Sequence, residues 1–195
     1  LRVISSSPTD MQPVFEAIAA STKQLLHSLD SAVWLVEGDR IKPMVGRRAR
    51  SGLGGVAMDR VHPVGQVVLE GKPVLLSDVE TEASIPSETR NFLVESGQRA
   101  IMAVPMMREG NAVGLIAASW GEPTVIGDKN VSLLKTFADQ AVIAIENVRL
   151  FKELEASLNH QTATGELLQV ISRTSFDLHS VLQGLTEKAA RLCDA

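Results

Sequence analysis

Residues 100–120, AIMAVPMMREGNAVGLIAASW, contain two long apolar runs separated by the polar triplet Glu109-Gly110-Asn111. A glycine-containing polar triplet between two such runs is typical of a β-hairpin turn. Both runs are apolar at nearly every position, whereas a strand with one solvated face alternates between apolar and polar residues. We therefore predict a central hairpin, with strands over 100–107 and 112–120, in a sheet that is covered on both faces.

The residues before this hairpin predict shorter elements. A helix over 11–29 is indicated by Asp10 as its N-cap, by Pro13 in its first turn and by an apolar stripe at helical spacing. Two short apolar runs, 32–37 and 41–45, flank a Gly-Asp turn and predict a second hairpin.

Further elements lie between the two hairpins. Residues 46–59 are rich in Arg and Gly and show no periodicity, which favours a loop. A short helix is predicted over 63–70, a strand over 74–77 and a helix over 88–95, with Gly71 and Gly97 ending the two helices.

A different pattern begins at Asp128. Apolar residues recur three or four positions apart, and no proline interrupts the chain from there to its end. The pattern comprises Val131, Leu134, Ala138, Ala141, Ile145 and Val148, followed by Phe151, Leu154 and Leu158. This spacing predicts one helix from 128 to about 172 that pairs with a second copy in a parallel coiled coil.

The two ends of the chain repeat each other at an offset of 167 residues. The identical pairs are Leu1/Leu168, Val3/Val170, Ile4/Ile171, Ser5/Ser172, Asp10/Asp177, Val14/Val181 and Leu25/Leu192. Two amphipathic helices with similar apolar faces would explain part of this agreement, but the Ser and Asp pairs lie outside the apolar stripe. The repeat predicts a tandem array, in which 175–195 is the opening helix of a second, truncated unit and 151–174 is a coiled-coil linker.

Composition excludes several classes of partner. The formal net charge of −4, a pI near 5.6 and the lack of tyrosine disfavour a nucleic-acid-binding surface. No apolar run is long enough to predict a membrane span. The single cysteine, Cys193, fits a reducing compartment, so we expect a cytoplasmic location.

Three stretches resemble the GAF domain family. They are the exit helix at 137–151, FADQAVIAIENVRLF, the hairpin AVPMMREG followed by VGLI at 113–116, and AARLCDA at 189–195. The chain is most similar to tandem-GAF sensory regions of α-proteobacterial sensor histidine kinases. The resemblance implies an α+β fold over 1–150, with a six-stranded antiparallel sheet, helices packed on one face, a small-molecule pocket on the other, and a long signalling helix after it.

Candidate pocket residues follow from strand and loop positions in that fold. They are Trp34, Met44, Arg47, His62, Arg90 and Met102. Trp34 and Trp120 could also be sheet-core residues, and Trp120, which ends its strand, is an alternative rim residue. Arg47, Arg48 and Arg50 would meet an anionic ligand at the pocket mouth or form a solvated charged loop, and the sequence leaves both interpretations open.

The resemblance also limits the cofactor, whose identity the sequence does not reveal. A bilin is disfavoured because it needs a pocket cysteine, and the family's cyclic-nucleotide motif has no counterpart here. Haem or non-haem iron stays an open alternative, although His27, His62, His160 and His179 have no ligand-like spacing.

No catalytic residues and no metal site are predicted. Gly52-Leu53-Gly54-Gly55 lacks the following Lys and Ser/Thr of a phosphate-binding loop. His160 with Thr164 lacks the acid and the proline that accompany a phosphoacceptor histidine. A methionine-sulfoxide reductase of this fold needs several cysteines, and one is present.

These observations predict a regulatory module rather than an enzyme. We expect a homodimer that binds a small molecule and passes its ligand state through helices to the downstream output domain of a sensor histidine kinase. A structural dimerisation spacer without a ligand and the sensory region of a nucleotide cyclase are the alternatives.

Overall fold

The computed structural model describes residues 10–52 and 54–193. The first residues of the repeat, Leu1 to Ser7, and its last two, Asp194 and Ala195, lie outside the described residues. The elements are α1 (Gln12–Leu26), β1 (Asp30–Glu37), β2 (Arg40–Val45), α2 (Arg47–Arg50), β3 (Val56–Ala57), α3 (Pro63–Glu70), β4 (Val74–Leu76), α4 (Ser87–Glu95), β5 (Ala100–Arg108), β6 (Asn111–Trp120) and α5 (Asp128–Cys193).

The strands form one six-stranded antiparallel sheet in the order β3-β2-β1-β6-β5-β4. The β5–β6 hairpin turns at Glu109 and Gly110, whose φ angles of 49° and 83° are both positive. Two successive positive φ angles are the mark of a type I′ turn, which matches the twist of the flanking strands. The predicted central hairpin and the predicted sheet are therefore confirmed.

Both faces of the sheet are covered, as the apolar runs predicted. On one face, α1 and the first part of α5 bury Phe15, Met102, Ile116 and Leu134 in the largest apolar cluster. On the other face, short helices pack over a smaller area that includes Val67 of α3. The two long helices therefore share one face, and the opposite face is left to α2, α3, α4 and the site described below.

The helix α1 is shorter than the predicted 11–29. The Asp10 carboxylate accepts a hydrogen bond from the Gln12 amide at 2.9 Å, which satisfies one of the free donors of the first turn. The helix ends at Leu26 because His27 adopts a left-handed conformation with φ 49°.

The prediction of a loop over 46–59 is wrong in part, because the segment contains α2 and β3. The α2 helix begins where the Asp30 carboxylate accepts the Arg47 amide at 3.0 Å. Just before it, Gly46 has φ 113° and lies so close to Ala32 that a Cβ atom would clash. A four-residue helix and a two-residue strand are too short to produce a periodic pattern in the sequence.

The helix α5 continues to Cys193, beyond the predicted end near 172. Gly165 and Gly184 lie within it, and a mid-helix glycine costs only about 1 kcal/mol, too little by itself to end a helix. The chain divides into two compact units between Arg149 and Leu150. The linker and second-unit assignments for 151–174 and 175–195 stay predictions. Within the described residues, no helix is both long and apolar enough to cross a membrane.

The first half of the predicted coiled-coil seam packs within the domain. Leu134, Ala138, Ala141 and Val148 are all buried, and the first three of them belong to the apolar cluster between α5 and the sheet. Helix-on-sheet packing and coiled-coil pairing use the same three-four spacing, so the sequence could not separate them. Farther along the helix, Leu154 and Leu158 are 59% and 54% exposed, which leaves them available to a partner.

Candidate ligand cavity

A cavity of about 400 Å³ lies on the face of the sheet that carries α2, α3 and α4. We call it the sheet-face cavity. Its walls come from β1, β5, β6 and the three short helices. Its volume is at the small end of the roughly 300–1,000 Å³ that ligand sites occupy.

Three alanines on neighbouring strands form its floor. Ala32 of β1 pairs with Ala117 of β6, which in turn pairs with Ala103 of β5, and all three line the cavity. Residues paired across antiparallel strands project to the same face of the sheet. The side chains of this apolar floor are small, and Ala117 is its most accessible member, since Ala32 is 8% exposed and Ala103 is fully buried.

The Arg48 guanidinium lies close to two aromatic rings in this cavity. Its central carbon is 6.0 Å from the centroid of the Trp34 ring and 5.6 Å from that of Phe92, within the range of cation–π attraction. Its Nε donates to the Gly54 carbonyl oxygen at 3.1 Å. Burial lowers the pKa of Arg48, but an arginine stays charged in a protein. In the described part of the chain, Arg48 forms no ion pair with a carboxylate.

His62 lines the same cavity and caps α3. Its Nδ1 accepts a hydrogen bond from the Val64 amide at 3.2 Å. Burial, and next the nearby Arg48 charge, lower the pKa of His62 to about 4, while Asp59 acts in the opposite direction. The imidazole is therefore neutral near pH 7, with its proton on Nε2 as a hydrogen-bond donor.

Two carboxylates also line the cavity. Asp30 accepts the Arg47 amide through Oδ2 and pairs with the Arg50 guanidinium at 3.5 Å through Oδ1. Glu95 is exposed. The charge of Asp30 is neutralised by Arg50 of α2. The other charged side chains of the lining are two positive ones, Arg47 and Arg48, and one negative one, Glu95.

The two tryptophans lie on opposite faces of the sheet. Trp34 is 5% exposed, lines the cavity, and its buried Nε1 has no hydrogen-bond partner in the described structure. Trp120 belongs to the cluster under α1 and α5, where its Nε1 donates to the Leu26 carbonyl oxygen at 3.3 Å. Trp120 is therefore a core residue of the helix-covered face and not a rim residue of the cavity.

The structure brings together three of the six predicted site residues, Trp34, Arg47 and His62. Met102 instead points into the core under α1 and α5, because side chains alternate along β5 and its neighbour Ala103 faces the cavity. Met44 lines a separate groove between α1 and β2. Met44 and Met102 therefore lie outside the lining of the sheet-face cavity.

Arg90 also lies outside the cavity lining. Its Nη2 donates to the carbonyl oxygens of Glu82 and Ile85, at 2.7 and 2.9 Å, so the side chain braces the loop before α4. Phe92 and the three floor alanines line the cavity but were not among the predicted site residues. Successive side chains of a strand face opposite sides of the sheet, and this alternation along β5 and β6 was the signal that could have grouped the alanines on one face.

The described residues contain no cluster of three or more His, Cys, Asp or Glu side chains that could hold a metal ion. His62 is the histidine that lines the cavity, and its Nδ1 is occupied by the Val64 amide. These residues therefore do not assemble a multidentate metal site here.

The sequence pattern of the GAF domain family matches residues 10–145. The chain belongs to the GAF domain family. GAF domains are generally regulatory, and the matched segment contains the whole sheet and every residue that lines the sheet-face cavity. No curated protein matches the chain in sequence.

Solved structures with the same fold come from several kinds of protein. A domain of a protein described as a two-component sensor histidine kinase from Sinorhizobium meliloti 1021 is 18% identical, with a TM-score of 0.60 over 72% of this chain and 93% of that one. A segment of a methyl-accepting chemotaxis protein is 18% identical, with a TM-score of 0.62 over 76% and 96%.

An enzyme shares the fold as well. Free methionine-R-sulfoxide reductase from Neisseria meningitidis, in complex with its substrate, is 18% identical, with a TM-score of 0.64 over 76% of this chain and 84% of that one. At these identities the three likenesses establish the fold of this GAF domain and nothing about its ligand.

Proposed function

We propose that this GAF domain is the small-molecule-sensing module of a multi-domain signalling protein, such as a sensor histidine kinase in the cytoplasm. The sheet-face cavity carries the proposal, because an apolar floor and a few converging polar groups are the usual composition of a ligand site. Family membership and the sensor-kinase and chemotaxis neighbours support a signalling role.

The Asp30–α2 contact supplies a route from the cavity to the helices. Arg48 lies in the cavity on α2, and Asp30, which holds Arg47 and Arg50 of the same helix, follows α1 after only three residues. A ligand that moves Arg48 would therefore shift the segment that connects the end of α1 to β1. Such a ligand changes the output only if it binds one arrangement of these helices more tightly than the other.

We further propose that the protein acts as a homodimer through its helices, and that α5 leads to the output domain. The exposed Leu154 and Leu158 support this proposal, since large apolar side chains repeated on one helix face favour a helical partner. The seam begins farther along α5 than the sequence pattern suggested, because the earlier apolar positions cover the sheet.

Native mass spectrometry of the domain purified from cells tests the sensing role. We expect the wild type to carry an added small mass, which denaturing mass spectrometry then identifies. The variant Ala117→Leu fills the cavity floor and should lose that mass, whereas Ala83→Leu, at an exposed position outside the cavity, should keep it. A wild type without added mass, or an equal load in both variants, would favour a structural spacer.

A further inference from the structure

We propose that the ligand of the sheet-face cavity is a small aromatic carboxylate, held by Arg48 through its carboxylate and by the alanine floor through its ring. This inference rests on the proposed sensing function and names the chemical class of the ligand. Three features of the cavity carry it: the charge balance, the shape of the floor and the supply of hydrogen-bond donors.

The charge balance favours an anion. Arg48 is partly buried, and its Nε is used by the Gly54 carbonyl oxygen, which leaves the two Nη groups of the fork. A guanidinium fork matches a carboxylate in a bidentate pair. One competing acid of the lining, Asp30, is engaged by the amide of Arg47 and the guanidinium of Arg50.

The floor favours a flat ring. Ala32, Ala117 and Ala103 lie side by side across the three central strands, so no large side chain interrupts the surface between β1 and β5. Trp34 and the 41% exposed Phe92 also line the cavity and add aromatic surface to it. Aromatic rings pair favourably with one another in offset or edge-to-face arrangements, and the small volume limits the ligand to one or two rings.

The remaining polar groups of the cavity favour a ligand that accepts hydrogen bonds over one that donates them. Trp34 Nε1 is buried without a partner, and His62 presents Nε2–H because its Nδ1 already accepts the Val64 amide. A donor without a partner is costly in a buried site, so a ligand oxygen that accepts from the His62 Nε2–H group gains affinity. Glu95, the acid that would favour a cationic ligand, is exposed.

Isothermal titration calorimetry with matched probes tests the inference. Benzoate, phenylacetate and indole-3-acetate supply the ring and the charge, benzamide and phenylacetamide remove the charge, and benzylamine reverses it. Acetate retains the charge without the ring. Each probe is titrated into the wild type, Arg48→Gln, Arg48→Lys and Arg60→Gln. Arg60 is a matched control, because its guanidinium is exposed, pairs with Glu70 and does not line the cavity.

We expect at least one aromatic carboxylate to bind the wild type and Arg60→Gln equally, and to bind Arg48→Gln at least tenfold more weakly. Arg48→Lys should lie between the two, because it keeps the charge and loses the fork. The amides, benzylamine and acetate should bind at least tenfold more weakly than the best aromatic carboxylate.

Three results would overturn the inference. They are equal affinity for a carboxylate and its amide, equal affinity of Arg48→Gln and the wild type, and no binding of any aromatic carboxylate at millimolar concentration. In each case, a small mass that the wild type carries and Ala117→Leu lacks would leave the sensing function standing. If the wild type carried no such mass, or if Ala117→Leu carried the same mass, the proposed sensing function would be overturned too.

Discussion

The carbonyl oxygen of Asp59 occupies the space that a side chain on Gly65 would need, so α3 can approach the preceding loop only because residue 65 is a glycine. Gly65 lies in the first turn of α3, one turn after His62, and is buried. This close approach fixes the start of α3, and with it the position of His62 in the cavity wall.

Replacing Gly65 with alanine should therefore destabilise the domain. The new methyl group would meet backbone atoms of Asp59, which cannot rotate away as a side chain would. We expect a loss of about 1–3 kcal/mol in the free energy of unfolding, measured by urea denaturation. Gly54→Ala is the control, because a Cβ atom there meets no neighbour, and it should change stability by less than about 0.5 kcal/mol. Equal stability of the two variants would contradict the close approach.

The burial of His62 predicts a pH dependence of stability. Its folded pKa of about 4 lies below the ordinary value of 6.5, so between these values the unfolded state binds more protons than the folded state. The stability that neutral His62 contributes is thus complete above about pH 6.5 and is lost as the pH falls towards 4. The loss amounts to at most about 3 kcal/mol.

The variant His62→Asn isolates this effect, since asparagine can also cap a helix but does not titrate. Urea midpoints measured from pH 7 to pH 4 should fall more steeply for the wild type than for His62→Asn. The carboxylates titrate in both proteins, so the difference between the two curves reports His62 alone. Parallel curves would show that His62 titrates normally in the folded domain.

The exposed leucines of α5 predict where a dimer can be disrupted. Leu154→Asp with Leu158→Asp should convert the dimer to a monomer in sedimentation velocity, because both leucines lie on one face of the helix. Ala156→Asp with His160→Asp places the same two charges on the opposite, also exposed, face and should leave the dimer intact. A wild-type monomer, or loss of the dimer in both double variants, would contradict this seam.

Leu134 predicts a different outcome on the same helix. It is fully buried between α5 and the sheet, so Leu134→Asp would place a charge in the core and should unfold the domain rather than only separate two protomers. Circular dichroism melting checks this expectation. A folded, monomeric Leu134→Asp variant with a melting temperature near that of the wild type would show that Leu134 belongs to the dimer interface instead.

The sequence predicted the succession of helices and strands better than the details of the site. The β5–β6 hairpin was predictable because its two apolar runs and its glycine turn are all local signals. Met102 was misplaced because β5 is apolar on both faces, so the pattern does not reveal that Ala103 faces the cavity and Met102 the helices. The side that each residue faces follows only from where α1 and α5 pack on the sheet.

The arginines beside the cavity show the same limit. Three arginines, Arg47, Arg48 and Arg50, are nearly adjacent in sequence. The turn of the four-residue α2 helix places Arg48 close to the rings of Trp34 and Phe92. The same helix places Arg50 beside Asp30. No periodic signal marks so short a helix, and its position depends on the distant Asp30 carboxylate. Which arginine lies against the two aromatic rings is therefore a tertiary property.

The two tryptophans give the most direct test of the account, which holds that the sheet-face cavity binds an aromatic carboxylate. Nitrogen-15 NMR of the indole groups yields one signal each for Trp34, in the cavity, and Trp120, bonded to Leu26 on the opposite face. Saturating phenylacetate or indole-3-acetate should shift the Trp34 signal and leave the Trp120 signal in place. A fixed Trp34 signal with either compound at millimolar concentration, or equal shifts of both signals, would contradict the account.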